Sequence, residues 1–442
     1  MSGNADHGLC RDCHGRRSMT GAGWRRLLAF VLLSAATSAG AQVQPQAPTG
    51  APTPPPPPPA PFAEAGPWTF TGLVNADVFA NPAGRDTKSI KPLLKAAVSA
   101  GWDGSKVDRE GWQALVSAQY TAGGHISGDA VHDAQGLDNI EAIGALRLYE
   151  AWVSRDYDNR KGWKLGMIDL NVDFDTQETG SLFINSSNGI GSELGHSGLN
   201  GPSIFPTTAL GVTAYLRPRP SLTLRAGLLD GTAGSPDNPK AFAIRLSGHD
   251  GVLAIAQAEQ RLENGVRIEG GLWAYSARFD ALHRFDANGT PLREQRGRGA
   301  YATVEAPLKK EHDDEERGLS GWVRVGWADP VVERITGYVG GGLVYTGLLR
   351  SRKADQVGVA ISHAIVDDPV TPDPLIAHRS SETALEFTYR YNANDWLALQ
   401  PDAQFIVHPS GDRTAGTAFV VGLRVGITLT RGLLRAVKDV AP

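Results

Sequence analysis

From Trp68 to Thr430, apolar residues recur at every second position. In Trp112–Tyr120, for example, Trp112, Ala114, Val116, Ala118 and Tyr120 fall on one face. Gln113, Ser117 and Gln119 fall on the other. A period of two is that of a β-strand with one apolar and one polar face. The same alternation runs through Ala209–Leu216, Val266–Ala274, Leu319–Trp327 and Thr417–Leu429. Further strands are expected near Trp68, Leu93, Leu146, Trp163, Leu222, Val252, Tyr301, Ile335, Val357, Thr383 and Trp396, although the composition of Gly251–Gly265 also suits a short helix. The total is about 16 strands, without the fixed-period repeat of a propeller or β-helix. A membrane barrel needs strands of about 9–11 residues, short turns at one end and longer loops at the other. Aromatic residues at strand ends (Trp68, Trp102, Trp112, Tyr120, Trp152, Trp163, Trp327, Tyr391 and Trp396) suit interfacial girdles. The expected fold is therefore all-β, a transmembrane antiparallel β-barrel over 67–430.

The connections add detail. Asp175–Pro206 is rich in Gly, Ser and Asn and barely alternates. A loop of that length is usually functional or disordered, and in a wide barrel it is expected to fold inward and narrow the lumen. Asn288-Gly289 is a turn signal. Lys309–Arg317, with charges of both signs, reads as a solvated loop, and Asp367–Pro374 as a proline-broken one.

Composition changes the picture at the amino terminus. Arg16, Arg17, Arg25 and Arg26 precede the apolar run Leu27–Leu33, and small residues follow to Ala41. This is the layout of a secretory signal over 1–41, with translation starting at Met1 or Met19. The motif Cys10-Arg11-Asp12-Cys13-His14 has the spacing of c-type haem attachment. It lies upstream of the export signal, so the plainer reading is a segment removed with it or never translated. The mature chain then has no cysteine. Residues 42–66 hold the run Pro54–Pro59, a stiff extended periplasmic linker. The chain continues past the barrel as a tail, 431–442, where outer-membrane barrels often end on an aromatic residue. The 442 residues carry a net charge of -4 and a mean hydropathy of -0.23. No apolar run suits a spanning helix, and the slightly acidic balance argues against a nucleic-acid partner. Glycine, at 52 residues, is spread along the chain rather than bunched in linkers.

Two stretches carry a resemblance. Gly166-Met167-Ile168-Asp169-Leu170-Asn171-Val172-Asp173-Phe174-Asp175 and Ser181–Ser187 resemble the carbohydrate-selective porins (OprB-like) of Gram-negative outer membranes. So do Glu382, Glu386, Tyr389 and Tyr391, which lead into Leu399–Pro409 and the closing Val421-Gly422-Leu423-Arg424. The resemblance implies a 16-stranded outer-membrane barrel, a homotrimer, and passive diffusion of glucose and related sugars.

Selecting a neutral sugar takes paired donors and acceptors in a narrow passage, with aromatic faces to stack on. Candidates on the polar phase are Arg147, Glu150, Asp169, Arg267, Glu269, Arg324, Glu382, Glu386, Arg390 and Arg424. Trp152 and Trp273 are stacking candidates. For each charge the plainer alternative is a solvated wall residue, and for each Trp a girdle position. There is no Gly-x-Ser-x-Gly elbow and no phosphate-binding loop. The nine histidines from His125 to His408 lack metal-ligand spacing. No enzyme, cofactor or metal is expected, and Asn185-Ser186-Ser187 is read as an incidental sequon. The expected function is a sugar-selective porin, with small sugars and outer-membrane lipid as partners. The alternative is a general small-solute pore, or a structural barrel anchored through its Pro-rich stalk to peptidoglycan.

Overall fold

A computed structural model of the chain describes residues 67–430 except 85–88, 237, 239, 241–250, 294–295, 312–313 and 368–378. The signal, haem-like motif, Pro-rich linker, tail and most of Asp367–Pro374 lie outside the described residues. Sixteen antiparallel strands form one closed sheet in which each strand pairs with its sequence neighbours and the first with the last. They are β1 (Trp68–Ala83), β2 (Ser89–Asp103), β3 (Trp112–Gly123), β4 (Ala145–Tyr157), β5 (Lys161–Ile168), β6 (Ala209–Arg219), β7 (Leu222–Asp230) and β8 (Val252–Arg261). The circle continues with β9 (Arg267–Tyr275), β10 (Arg298–Glu311), β11 (Asp314–Ala328), β12 (Ile335–Thr346), β13 (Gln356–Asp367), β14 (Arg379–Asn394), β15 (Leu397–Val407) and β16 (Ala418–Thr430).

The alternation read from the sequence sets the two faces. Val116 (54% exposed) and Tyr120 (45%) lie outside, as do Leu272, Val323, Ile361 and Leu423, whereas Gln119, Glu269 and Arg324 are buried inside. An apolar exterior on a closed sheet leaves no backbone edge facing lipid. Several strand glycines make room for rings. A Cβ on Gly422 would stand 2.2 Å from the Phe79 ring, and one on Gly299 would stand 2.3 Å from Trp273.

Two expectations are corrected. Gly251–Gly265 holds no helix: Val252–Arg261 is β8, its Leu253, Ile255, Gln257 and Glu259 inward and its Ala254, Ala256 and Ala258 outward. Lys309–Glu311 and Asp314–Arg317 are strand rather than loop, because β10 runs to Glu311 and β11 starts at Asp314. Alternating charge is compatible with strand once the hairpin rises beyond the apolar band. The turn expected at Asn288-Gly289 is present: Asp286 Oδ1 accepts from Asn288 N and Thr290 N at 2.8 Å each, and Gly289 takes φ 80°.

The exterior assignment is testable. Leu272, 66% exposed in the middle of β9, should tolerate apolar exchange. Leu272→Arg is expected to cost about 2–4 kcal/mol in a vesicle unfolding titration, and an unchanged midpoint would contradict the assignment.

Candidate functional site: a lumen narrowed by pinned loops

The long connections lie at one end of the barrel, and among the described residues two of them turn inward. The first, 124–144 between β3 and β4, packs Ile126, Ala130, Val131, Leu137 and Ile140 against Phe79, Leu93, Ala384, Ile406, Ala418 and Val420 of the inner wall. Polar wall residues bind its backbone. Glu382 accepts from Ala134 N at 2.7 Å and Gln135 N at 3.1 Å, and Gln404 Nε2 donates to Leu137 O at 3.0 Å. Each bond satisfies a loop amide or carbonyl that burial would otherwise strand.

The second loop, 169–208 between β5 and β6, is the one expected to fold inward, and it does. Leu170, Phe174, Ile190 and Leu194 pack against Leu229, Leu253, Ile255, Trp273, Tyr275 and Tyr301, and Leu182 and Phe183 against Trp322, Val344 and Ala360. Its central fastening is Arg324 of β11. Nε and Nη2 donate to the two Asp175 oxygens at 2.7 Å each. Nη1 and Nη2 donate to the Glu193 oxygens at 3.0 and 2.7 Å. All three side chains are fully buried. The glycine at 191 is required here, since a Cβ would sit 1.8 Å from Arg324 Nη1. Further along, Glu386 accepts from Ile184 N at 2.6 Å and from Asn188 Nδ2 at 2.9 Å. Arg267 ion-pairs with Glu269 and Glu305 and donates to Thr176 O at 2.9 Å. Glu305 in turn accepts from Thr179 N at 2.8 Å.

The inward charges therefore divide into two groups. Arg147, Arg267, Glu269, Arg324, Glu382 and Glu386, read from the sequence as constriction candidates, are buried in wall and loop contacts instead of facing lumen water. Arg147 is 2% exposed and donates to Thr121 Oγ1 and Ile143 O. Trp273 is also corrected. It is 2% exposed, edge-on to Tyr275 at 6.0 Å, and offers no free face for stacking.

The second group keeps partial exposure, except Arg424, whose side chain is 11% exposed and is fastened to loop 124–144. Arg390 is exposed although it shares the inward phase of Glu382, Glu386 and Thr388, so it faces lumen water. Arg424 donates to Asp77 Oδ2 at 2.6 Å, Asp138 Oδ1 at 3.0 Å and Asn139 Oδ1 at 2.8 Å. Lys95 lies 4.5 Å from the Phe205 ring centroid. Tyr149 donates to Asp169. Trp152 Nε1 donates to Glu150 at 3.0 Å, with Lys164 5.0 Å from the Trp152 ring centroid and 2.8 Å from Asp173. Burial lifts the Asp169 carboxyl above its ordinary range. Sequence reading missed Lys95, Asp77, Tyr149, Lys164 and Phe205. The signal for Lys95 was present: a lone cation in the apolar run Leu93–Ala97, on the inward phase.

A closed 16-strand barrel whose lumen is narrowed by an inward loop is the build of a porin. The family described as carbohydrate-selective porin, OprB family, matches residues 90–429, and the chain belongs to that family. It is thus a Gram-negative outer-membrane barrel and a channel. Porin B of Pseudomonas aeruginosa is 23% identical over 143 residues, a match covering 29% of this chain and 32% of that protein. The high-pH structure of Pseudomonas putida OprB superposes with a TM-score of 0.72 at 19% identity, covering 82% of this chain and 94% of that one. The channel DcaP of Acinetobacter baumannii gives 0.53 at 11% identity, covering 83% and 99%.

Two outcomes follow from the fastenings. Arg324→Leu leaves Asp175 and Glu193 buried without their cation, a loss of about 3–5 kcal/mol. It is expected to raise single-channel conductance and lower the heat stability of the barrel, and a parent-like conductance would contradict the clamp. Glu333, in the β11–β12 loop, accepts from Gly198 N at 3.3 Å, and burial pushes its carboxyl to about 7. Its folded pKa is raised, so its stabilisation is complete below the unfolded carboxylate range and is lost as pH rises through about 7. Glu333→Gln should match the parent Tm near about pH 4 and exceed it near about pH 8. A difference that does not change with pH would contradict this.

Proposed function

We propose that the barrel passes glucose and related sugars by passive diffusion, selecting them at the open group of charges. The observation that carries this reading is that Lys95 and Arg390, on the inward phase and not buried, share the lumen with Glu150, Trp152 and Tyr149 of the wall and with Asp169 and Phe205 of loop 169–208. A sugar presents hydroxyls that both donate and accept, on a ring with apolar faces. Fixed cations accept no hydrogen bond and carboxylates donate none, so a mixed set orients each hydroxyl one way. Charge-assisted bonds are shorter and stronger than neutral ones, and rings supply the stacking face. Because no step is chemical, the residues only replace lost hydration well enough to admit the sugar and weakly enough to release it. The proposal includes a homotrimer in outer-membrane lipid and a Pro-rich segment that reaches peptidoglycan.

Planar-bilayer recording tests the selective step. Glucose is expected to lower the single-channel current. Lys95→Met and Arg390→Met are each expected to raise the half-blocking concentration about 3- to 10-fold, equivalent to one hydrogen bond of about 1 kcal/mol. A current unaffected by sugars would favour a general small-solute pore.

A further inference from the structure

On the outer wall, at the end with the short turns, five side chains of three neighbouring strands gather. They are Trp112 of β3, Arg155 and Tyr157 of β4, and Lys161 and Trp163 of β5. Their direction follows from the pairing. Trp112 shares the outward phase of Val116 and Tyr120 and pairs with Arg155. Arg155 pairs with Trp163, and Tyr157 with Lys161. The rings of Trp112 and Trp163 meet edge-on at 5.7 Å. The Arg155 guanidinium lies 5.2 Å from the Trp112 centroid and 5.3 Å from that of Tyr157, with Lys161 Nζ 5.9 Å from Tyr157.

Arg155 donates to the backbone carbonyl of Glu110, and among the described residues neither Arg155 nor Lys161 is in ion-pair contact with a carboxylate. Asp156 accepts the Tyr215 hydroxyl on the inner face, and Asp108, Glu110 and Asp158 belong to the adjoining turns. Away from the rim the wall is apolar, with Val116, Leu165 and Leu216 exposed. A cation on a lipid-facing wall costs free energy that falls toward the interface, and an anionic headgroup removes what remains. Arg155 and Lys161 are diagonal neighbours, about 7–8 Å apart at the backbone, so two long side chains can converge on one phosphate. Short turns of such barrels lie on the periplasmic side, where the leaflet is phospholipid.

We propose that Arg155 and Lys161 bind the phosphate of a phospholipid headgroup in the periplasmic leaflet. Trp112, Tyr157 and Trp163 bracket the headgroup, and the acyl chains lie along Val116, Leu165 and Leu216. Native mass spectrometry of the detergent-solubilised full chain, titrated with phosphatidylglycerol, tests this. The wild type is expected to bind one more lipid, at least about fivefold more tightly, than the double variant Arg155→Gln/Lys161→Gln. Arg160→Gln, a turn cation outside the cluster, should behave as wild type, and single-channel conductance should be unchanged throughout. Equal binding by wild type and double variant would overturn the proposal. If the double variant does not fold, the wild type decides alone. Retention of phosphatidylglycerol over diacylglycerol, which lacks phosphate, supports the site, and equal retention overturns it. Preference for lipid A over phosphatidylglycerol also overturns it, because it places the cluster in the opposite leaflet.

Discussion

The contact on which the lumen depends is the Arg324 guanidinium held between Asp175 and Glu193. A closed sheet of sixteen strands encloses more space than its own side chains fill. Loop 169–208 occupies part of that space only because its polar backbone and two of its acids find partners on the wall. Burying a cation with two carboxylates is costly unless each lone pair and proton is used. Here four of the guanidinium's five N–H groups are used in hydrogen bonds to the two acids. Glu386, Glu305 and Arg267 repeat the arrangement along the loop, and Glu382 does the same for loop 124–144. The strands thus hold the loops through fixed charges, and the loops determine which charges still meet water.

That division explains how the acidic, low-hydropathy composition serves a membrane protein. The outward phase supplies the apolar surface, and the inward phase supplies the polar groups that fasten the loops and line the passage. Glycine contributes at specific points, where Phe79 lies over Gly422 or Arg324 lies against Gly191.

The barrel was legible because its signal is a face alternation, which is local. All sixteen strands are found near the starts that alternation suggests, and the inward loop was marked by its length and its lack of period. The strand ends at Lys309–Glu311 and Asp314–Arg317 were not legible, since charge patterning reports exposure to water and the exposed Lys309 and Lys310 stand on successive strand positions. Nor was loop 124–144, whose apolar residues meet wall positions on β1, β2, β14, β15 and β16. The same limit governs the site. Arg324, Arg390 and Arg424 all sit on an inward phase, and nothing local in the sequence distinguishes the one bound between two loop acids from the one left in lumen water. Lys95 was legible in principle, as a lone cation breaking an apolar run, but only after its strand's phase was fixed by pairing with Asn75 and Thr121.

The central claim is that buried charges fix the width of the lumen and that the remaining ones recognise sugar. Swelling of liposomes carrying the purified protein tests it most directly, comparing glucose with uncharged non-sugar solutes of equal size. Glucose is expected to enter faster than its size-matched controls. Entry rates set by size alone would contradict it.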